Sequence, residues 1–265
     1  MSTLTYAVRD SATMLRRDVK HALRFPMMTI SGMSVPIFLL LLFAGVFGNT
    51  LRAGLGAAMP AGGSYIDYLT PGIIVMTVGA SAAATAINVC MDAGEGIISR
   101  FRTMAITRTS VLTGQVFGSL IRTLISGALV VAVAVALGFR TSASPLEWLG
   151  AVGVFAMITL ALTWLTIAFG LQAKTPAGAN SLSLIPQFLP FFSSAFVPTA
   201  AMPAGVAWFA QHQPFTPMIT TLRGLLTGTP IGGSAILAVV WCVIITAVGY
   251  LWARARYNRP PATAR

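Results

Sequence analysis

Long apolar runs, separated by short polar connections, dominate this chain of 265 residues. Only 9% of the residues are charged, and the mean hydropathy is +0.81. A soluble domain usually carries about a quarter charged residues, so this chain has too little polar surface to cover a globule in water. The runs are long enough for helices that cross a bilayer. The sequence therefore predicts an all-α membrane protein.

Six segments contain the roughly 20 mostly apolar residues that a helix needs to cross the hydrocarbon core. They are Met27 to Phe47, Tyr68 to Met91, Val111 to Leu137, Trp148 to Leu171, Ala177 to Val197 and Ser234 to Trp252. The third segment contains Arg122, whose guanidinium either reaches back to the headgroups or serves as a functional charge that faces a cavity. Pro36, Pro186 and Pro190 predict kinks in the first and fifth segments.

The basic residues predict the orientation of these spans, because positively charged connections stay in the cytosol. With both termini in the cytosol, most of the 17 Lys and Arg residues fall in inner segments. The outer connections then contain only Arg52, Arg140 and Arg223. The sequence therefore predicts that both termini are cytosolic.

The first 25 residues precede the first span and predict a helix on the membrane surface. Apolar side chains recur every three or four residues and form one stripe, as in an amphipathic helix. The other face is basic and would meet anionic headgroups. Its cations are Arg9, Arg16, Arg17 and Lys20. The alternative interpretation is a solvated helix that packs on a partner protein.

The external segment between the fifth and sixth spans, residues 198–233, is apolar but interrupted by prolines. Its uninterrupted pieces are too short to cross the bilayer. We predict two short re-entrant helices, around Gly205 to Ala210 and Met218 to Leu226, that enter the outer leaflet and return. Irregular backbone at that depth must be buried in protein or line a cavity.

Several kinds of chemistry are excluded by the residues that the chain lacks. No G-x-x-x-x-G-K-[ST] motif occurs, and the lysines are Lys20 and Lys174 alone, so the chain has no P-loop for ATP. His21 and His212 have no partner ligands at metal-binding spacing. The cations are spread between apolar runs and do not form the basic patch of a nucleic-acid binder.

The acidic residues also argue against an ion-coupled transporter, which carries ionisable groups within its spans. All of them fall in connections or at span ends. They are Asp10, Asp18, Asp67, Asp92, Glu95 and Glu147. Energy for any transport must therefore come from another chain.

The inner connection between the second and third spans predicts a short helix that could receive this energy. Its apolar side chains, Ile97, Ile98 and Phe101, share one helical face. Polar residues flank that face. The residues predicted to couple to a partner are Glu95, Gly96, Ile97, Ile98, Arg100, Phe101 and Arg102. An apolar knob with a basic rim fits a groove of a partner protein. The alternative is a helix that rests on the headgroups.

Three sequence motifs resemble those of type-2 ABC exporter permeases, in the daunorubicin/doxorubicin-resistance branch. The first is Gly96-Ile-Ile-Ser-Arg-Phe-Arg-Thr-Met-Ala-Ile-Thr-Arg108, and the second is Tyr68-Leu-Thr-Pro-Gly72. The third combines Ala195-Phe-Val-Pro-Thr-Ala-Ala-Met-Pro203 with His212-Gln-Pro-Phe-Thr-Pro217 and Leu222-Arg-Gly-Leu-Leu-Thr-Gly228. Many relatives have proline where this chain has Ala105, so the helix here is expected to be longer.

This resemblance implies a single transmembrane domain over residues 1–265 in a multi-pass protein of a prokaryotic inner membrane. Its parts are the interfacial helix (1–25), two spans with the coupling loop (26–110), three further spans (111–197), the external re-entrant segment (198–233) and the last span with a basic tail (234–265). The family implies a second permease chain, identical or sister, and two cytosolic ATPase subunits. ATP and Mg²⁺ would bind to those ATPases, and this chain would hold no cofactor. The coupling residues are Glu95 to Arg102.

The function predicted from these features is ATP-driven export of hydrophobic or amphipathic molecules. We predict a substrate path lined by Phe38, Phe43, Met76, Phe188, Phe191 and Phe192. The alternatives are a permease for a polysaccharide or glycolipid and a membrane partner of an ATPase that transports nothing.

Overall fold

The computed structural model describes residues 26–48, 50, 64–94 and 110–257, with side chains from residue 34 onward and again from residue 112. All regular secondary structure within these ranges is helical. The α-helices are α1 (Pro26–Leu41), α2 (Tyr65–Gly94), α3 (Ser110–Ala136), α4 (Pro145–Gln172), α5 (Pro176–Phe188), α6 (Ala204–His212), α7 (Phe215–Thr227) and α8 (Ser234–Tyr257).

Four of these helices are long and apolar enough to cross a membrane, namely Tyr65–Gly94, Leu112–Ala136, Pro145–Gln172 and Ser234–Tyr257. They correspond to the predicted second, third, fourth and sixth spans. The first predicted span is α1, which continues as a π-helix over Leu42–Val46. The total of six spans and the cytosolic position of both termini stay predictions.

Helix α2 lies at the centre of the bundle, in contact with α1, α3, α4, α5 and α7. Its N-terminal half, from Tyr65 to Val78, is buried on almost every side. A helix that is apolar all round is expected in such a position. Helix α2 is therefore a single packed element that contacts different segments at its two ends.

Helix α5 is shorter than predicted, which corrects the boundary of the fifth segment at Val197. The α-helix ends at Phe188, and one 3₁₀ turn follows over Leu189–Phe192. Pro190 has no N–H for the α-helical ladder, and the Ser193 N–H donates to the Pro190 carbonyl at 3.1 Å. The backbone then becomes extended at Ser193.

The two short helices predicted between the fifth and sixth spans are confirmed as α6 and α7, each slightly longer than expected. Helix α7 packs against α2, α4 and α8. It ends at Gly228, whose φ of 71° is the left-handed cap conformation that glycine adopts without strain. Entry of these helices into the outer leaflet stays a prediction.

Glycines allow the long helices to approach closely. A Cβ atom at Gly249 of α8 would lie 2.6 Å from the Leu165 backbone nitrogen of α4, and one at Gly170 of α4 would lie 2.5 Å from the Ala86 carbonyl oxygen of α2. Small residues at such crossings are typical of membrane helix pairs, which gain stability from close packing.

Candidate functional site

The N-terminal end of α2, which the predicted orientation places on the outer side, holds the irregular backbone that follows α5. We define the outer clasp as Tyr65, Tyr68 and Arg223 together with the backbone carbonyls of Ser194 and Phe196. The Tyr68 hydroxyl donates to the Ser194 carbonyl at 2.8 Å, and the Tyr65 hydroxyl donates to the Phe196 carbonyl at 3.1 Å. These bonds satisfy carbonyls that no helix satisfies, as apolar surroundings require.

Arg223 of α7 completes the outer clasp from the other side. Its Nε donates to the Tyr68 carbonyl at 3.1 Å, and its NH2 group donates to the Ser194 carbonyl at 2.7 Å. Its guanidinium carbon lies 3.7 Å from the centroid of the Tyr68 ring. The clasp thus joins α2, α7 and the segment after α5 through a single cation.

Arg223 is buried, with 7% of its surface exposed. Burial lowers the pKa of its guanidinium, while the nearby Tyr68 raises it. The guanidinium of arginine is not deprotonated in proteins, so the group stays charged. Its charge is balanced by carbonyl dipoles and an aromatic face, and this arrangement ties the cation to one backbone geometry.

Close backbone contact strengthens the same junction. A Cβ atom at Gly72 would lie 2.7 Å from the Cβ of Ala195. Only glycine permits the segment after α5 to lie directly on α2 here. Three stretches that carry the family resemblance, beginning at Tyr68, Ala195 and Leu222, therefore meet at the outer clasp.

A group of aromatic rings adjoins the outer clasp. We define the aromatic cluster as Phe43, Phe188, Phe191 and Phe196. Phe196 is its centre, with ring centroids 4.8 Å from Phe43 and 5.2 Å from Phe191. Phe188 lies 5.7 Å from Phe191. The cluster connects the π-helix that continues α1 to the break after α5.

The predicted path residues separate into three environments. Phe43 and Phe191 are partly buried within the aromatic cluster, together with the exposed Phe188. Phe38 and Phe192 are 61% and 55% exposed, and Met76 is buried within α2. The structure thus brings three of the six together, and contact with a substrate stays a prediction for all of them.

The predicted coupling residues, Glu95 to Arg102, and the predicted interfacial residues, Arg9, Arg16, Arg17 and Lys20, lie outside the described residues. Arg122, the other cation of interest, lies partly buried near the middle of α3. In the described part of the chain, no three His, Cys, Asp or Glu side chains come close enough to hold a metal ion.

Sequence patterns place Arg223 in an outer connection and do not predict its role in the clasp. A signal was present, because Arg223 lies between apolar residues in an amphipathic helix. Tyr65 and Phe196 were missed as well. No local pattern marks them, since their partners are distant in the sequence.

The comparisons with known proteins agree with the resemblance found in the motifs. The sequence model of the family described as ABC-2 type transporter matches residues 10–227. The chain is 28% identical over 238 residues to the daunorubicin resistance ABC transporter permease protein DrrB1 of Streptomyces coeruleorubidus, covering 89% of this chain and 81% of that protein. It is 25% identical over 172 residues to the probable doxorubicin resistance ABC transporter permease protein DrrC of Mycobacterium tuberculosis, covering 62% of each chain.

Proposed function

Because the chain belongs to the ABC-2 type transporter family, we propose that it is the membrane-spanning permease subunit of an ATP-driven exporter of hydrophobic or amphipathic molecules. The observation that carries this proposal is the match, over most of the chain, to permeases named for drug resistance. Four long apolar helices support the membrane-spanning role. The acidic residues of these helices, Asp67, Asp92 and Glu147, lie at their ends, which agrees with a path for apolar cargo.

Membership of this family implies an ABC ATPase partner. We further propose a complex of two such ATPases with a second permease chain, identical or sister, in which the ATPases bind ATP and Mg²⁺. The proposed location is the cytoplasmic membrane of a bacterium, with both termini in the cytosol. Arg254 and Arg256 in the last turn of α8 support that orientation.

Reconstitution of the chain with its ATPase tests the proposed function. We expect ATP-dependent movement of a hydrophobic fluorescent drug such as daunorubicin across the vesicle membrane, together with drug-stimulated ATP hydrolysis. A catalytically inactive ATPase is the control and should support neither activity. If the complex assembles and hydrolyses ATP but moves no probe of this class, the export function is wrong.

The coupling segment provides the first mutational prediction. Replacing Ile97 and Phe101 with alanine should weaken capture of the ATPase, because truncation of an aromatic anchor at an interface costs about 2 kcal/mol or more, roughly 30-fold in affinity. Co-purification from detergent measures this loss. Ser99→Ala, on the opposite face of the predicted helix, should leave ATPase capture unchanged. Equal capture by both variants would contradict the coupling role of Glu95 to Arg102.

The aromatic cluster provides the second mutational prediction. Phe191→Ala should raise the KM for the fluorescent drug by about 3- to 10-fold, because one aromatic contact is worth roughly 0.5–1.5 kcal/mol. Vesicle flux at varied drug concentrations measures this change. Phe117→Ala, at a ring of α3 that is 51% exposed, is the matched control. A lower yield of Phe191→Ala protein with an unchanged KM would assign the ring to packing.

A further inference from the structure

One face of α3 carries polar side chains at intervals of four residues. We define the polar stripe as Gln115, Ser119 and Thr123. Side chains four residues apart lie above one another on a helix. Ser119 and Thr123 are completely buried, and Gln115 is partly buried. A buried polar side chain within an apolar helix needs a hydrogen-bond partner, either a carbonyl of its own helix or a group on a neighbouring helix.

Each member of the polar stripe has such a partner. The Gln115 side-chain amide donates to the Asp92 carboxylate of α2 at 2.9 Å. The hydroxyls of Ser119 and Thr163 of α4 lie 3.2 Å apart. The remaining bond joins the hydroxyls of Thr123 and Ser81 of α2 at 2.7 Å. The stripe therefore connects α3 alternately to α2, α4 and α2.

Hydrogen bonds restrict relative motion more than apolar contacts do, because they weaken steeply with distance and angle. Three of them in a row fix both the rotation and the axial position of α3. The contact between α4 and α8 differs, since it contains edge-to-face aromatic pairs, Trp164 with Tyr250 and Phe169 with Trp252. The polar stripe thus joins α3 to both α2 and α4 by hydrogen bonds.

The polar stripe lies along α2, the helix that runs from the predicted coupling segment to the outer clasp. Residues 95–109 join the end of α2 to the start of α3, and Asp92 and Gln115, which bond to each other, lie close in sequence to the two ends of this connection. At its other end, α2 contributes Tyr65 and Tyr68 to the outer clasp. A helix of 30 residues thus links the predicted coupling segment to the clasp over about 45 Å.

We propose that Gln115, Ser119 and Thr123 are positioning residues that make α2, α3 and α4 move as one body. This inference rests on the proposed function, in which the partner ATPase displaces the segment 95–109. The polar stripe passes that displacement along α2 to the outer clasp. Without the stripe, ATP hydrolysis continues but less of the movement reaches the outer side.

The double substitution Ser119→Ala with Thr123→Val removes two of the three bonds and conserves most of the volume. In the complex with the partner ATPase, we expect ATPase binding and basal hydrolysis to be retained. Daunorubicin moved per ATP hydrolysed should fall at least about fivefold, the lower end of typical coupling between sites. A ratio equal to that of the unsubstituted complex would overturn the proposal.

Thr159→Val is the matched control. Thr159 is equally buried, and its hydroxyl contacts the Phe155 carbonyl of its own helix as that of Thr123 contacts the Ser119 carbonyl. Thr159→Val therefore removes a bond within one helix and none of the three bonds between helices. This variant should keep the drug-to-ATP ratio of the unsubstituted complex. Thr123→Ser retains the hydroxyl and, combined with native Ser119, should also transport normally. If the amount of drug moved per ATP falls as much in both controls as in the double variant, the effect is due to packing and the proposal is wrong.

A distance measurement tests the same proposal without cargo. Spin labels at Ala84 of α2 and Phe117 of α3, both exposed, are introduced after replacement of Cys90 and Cys242. The distance between the labels should be narrowly distributed, and it should broaden in the double variant but not in Thr159→Val. Equal distributions in all three proteins would overturn the proposal even if export itself fails. Drug transport by the unsubstituted complex, in contrast, tests the proposed export function and not the role of the polar stripe.

Discussion

Replacing Gly249 with leucine is expected to prevent accumulation of the folded protein. The first side-chain atom alone would lie 2.6 Å from the Leu165 nitrogen and 2.7 Å from the Trp164 carbonyl carbon, both of which belong to the backbone of α4. Backbone cannot move aside as a side chain does, so α8 must separate from α4. Overpacking typically costs about 1–3 kcal/mol, and a contact with backbone is expected to reach or exceed the upper end.

The amount of monodisperse protein in detergent and its thermal unfolding measure this effect. Cys90 and Cys242 are buried free thiols, so the reactivity of a thiol dye with temperature reports unfolding directly. Gly153→Ala is the matched control, because Gly153 lies in α4 and a Cβ there meets nothing within 4 Å. The control should unfold at the same temperature or higher. Normal unfolding of Gly249→Leu would show that the crossing of α4 and α8 is wrong.

Replacing Arg223 with alanine is expected to release the outer clasp. The substitution removes two charge-assisted hydrogen bonds, to the carbonyls of Tyr68 and Ser194, and leaves a cavity under the Tyr68 ring. Hydrogen bonds to charged groups are worth about 1.5–3 kcal/mol, and truncation of a large buried side chain costs about 3–5 kcal/mol. We therefore expect a loss of several kcal/mol in the free energy of unfolding.

Two further substitutions of Arg223 separate the contribution of the hydrogen bonds from that of the filled volume. Unfolding is again measured by the reaction of a thiol dye. Arg223→Met fills most of the volume but makes no hydrogen bond, and Arg223→Lys keeps the charge but not the planar fork. The lysine variant should be the most stable of the three. Arg140→Ala, at an exposed arginine whose backbone N–H contacts Asp67, should have no effect. If Arg223→Ala matched Arg140→Ala in stability, the clasp would have no structural role.

The outer clasp and the polar stripe show the limits of local sequence patterns. Gln115, Ser119 and Thr123 share a face by their spacing alone, yet only the packing of α2 and α4 supplies Asp92, Ser81 and Thr163. The same limit explains the correction at α5. The prolines predicted a bend, but the exact end of the helix at Phe188 depends on the bonds that hold the segment after it.

The sequence by itself determined the features that depend on neighbouring residues. Apolar length predicted the long helices, and proline spacing predicted α6 and α7, because both properties act over a few helical turns. The tertiary structure alone decided which residues form the outer clasp. Tyr68 and Arg223 are separated by 155 residues. Arginine is a charged residue type that usually lies on the surface. Only the assembled bundle brings the charge of Arg223 against an aromatic ring and beside the Ser194 carbonyl, which lies outside every helix.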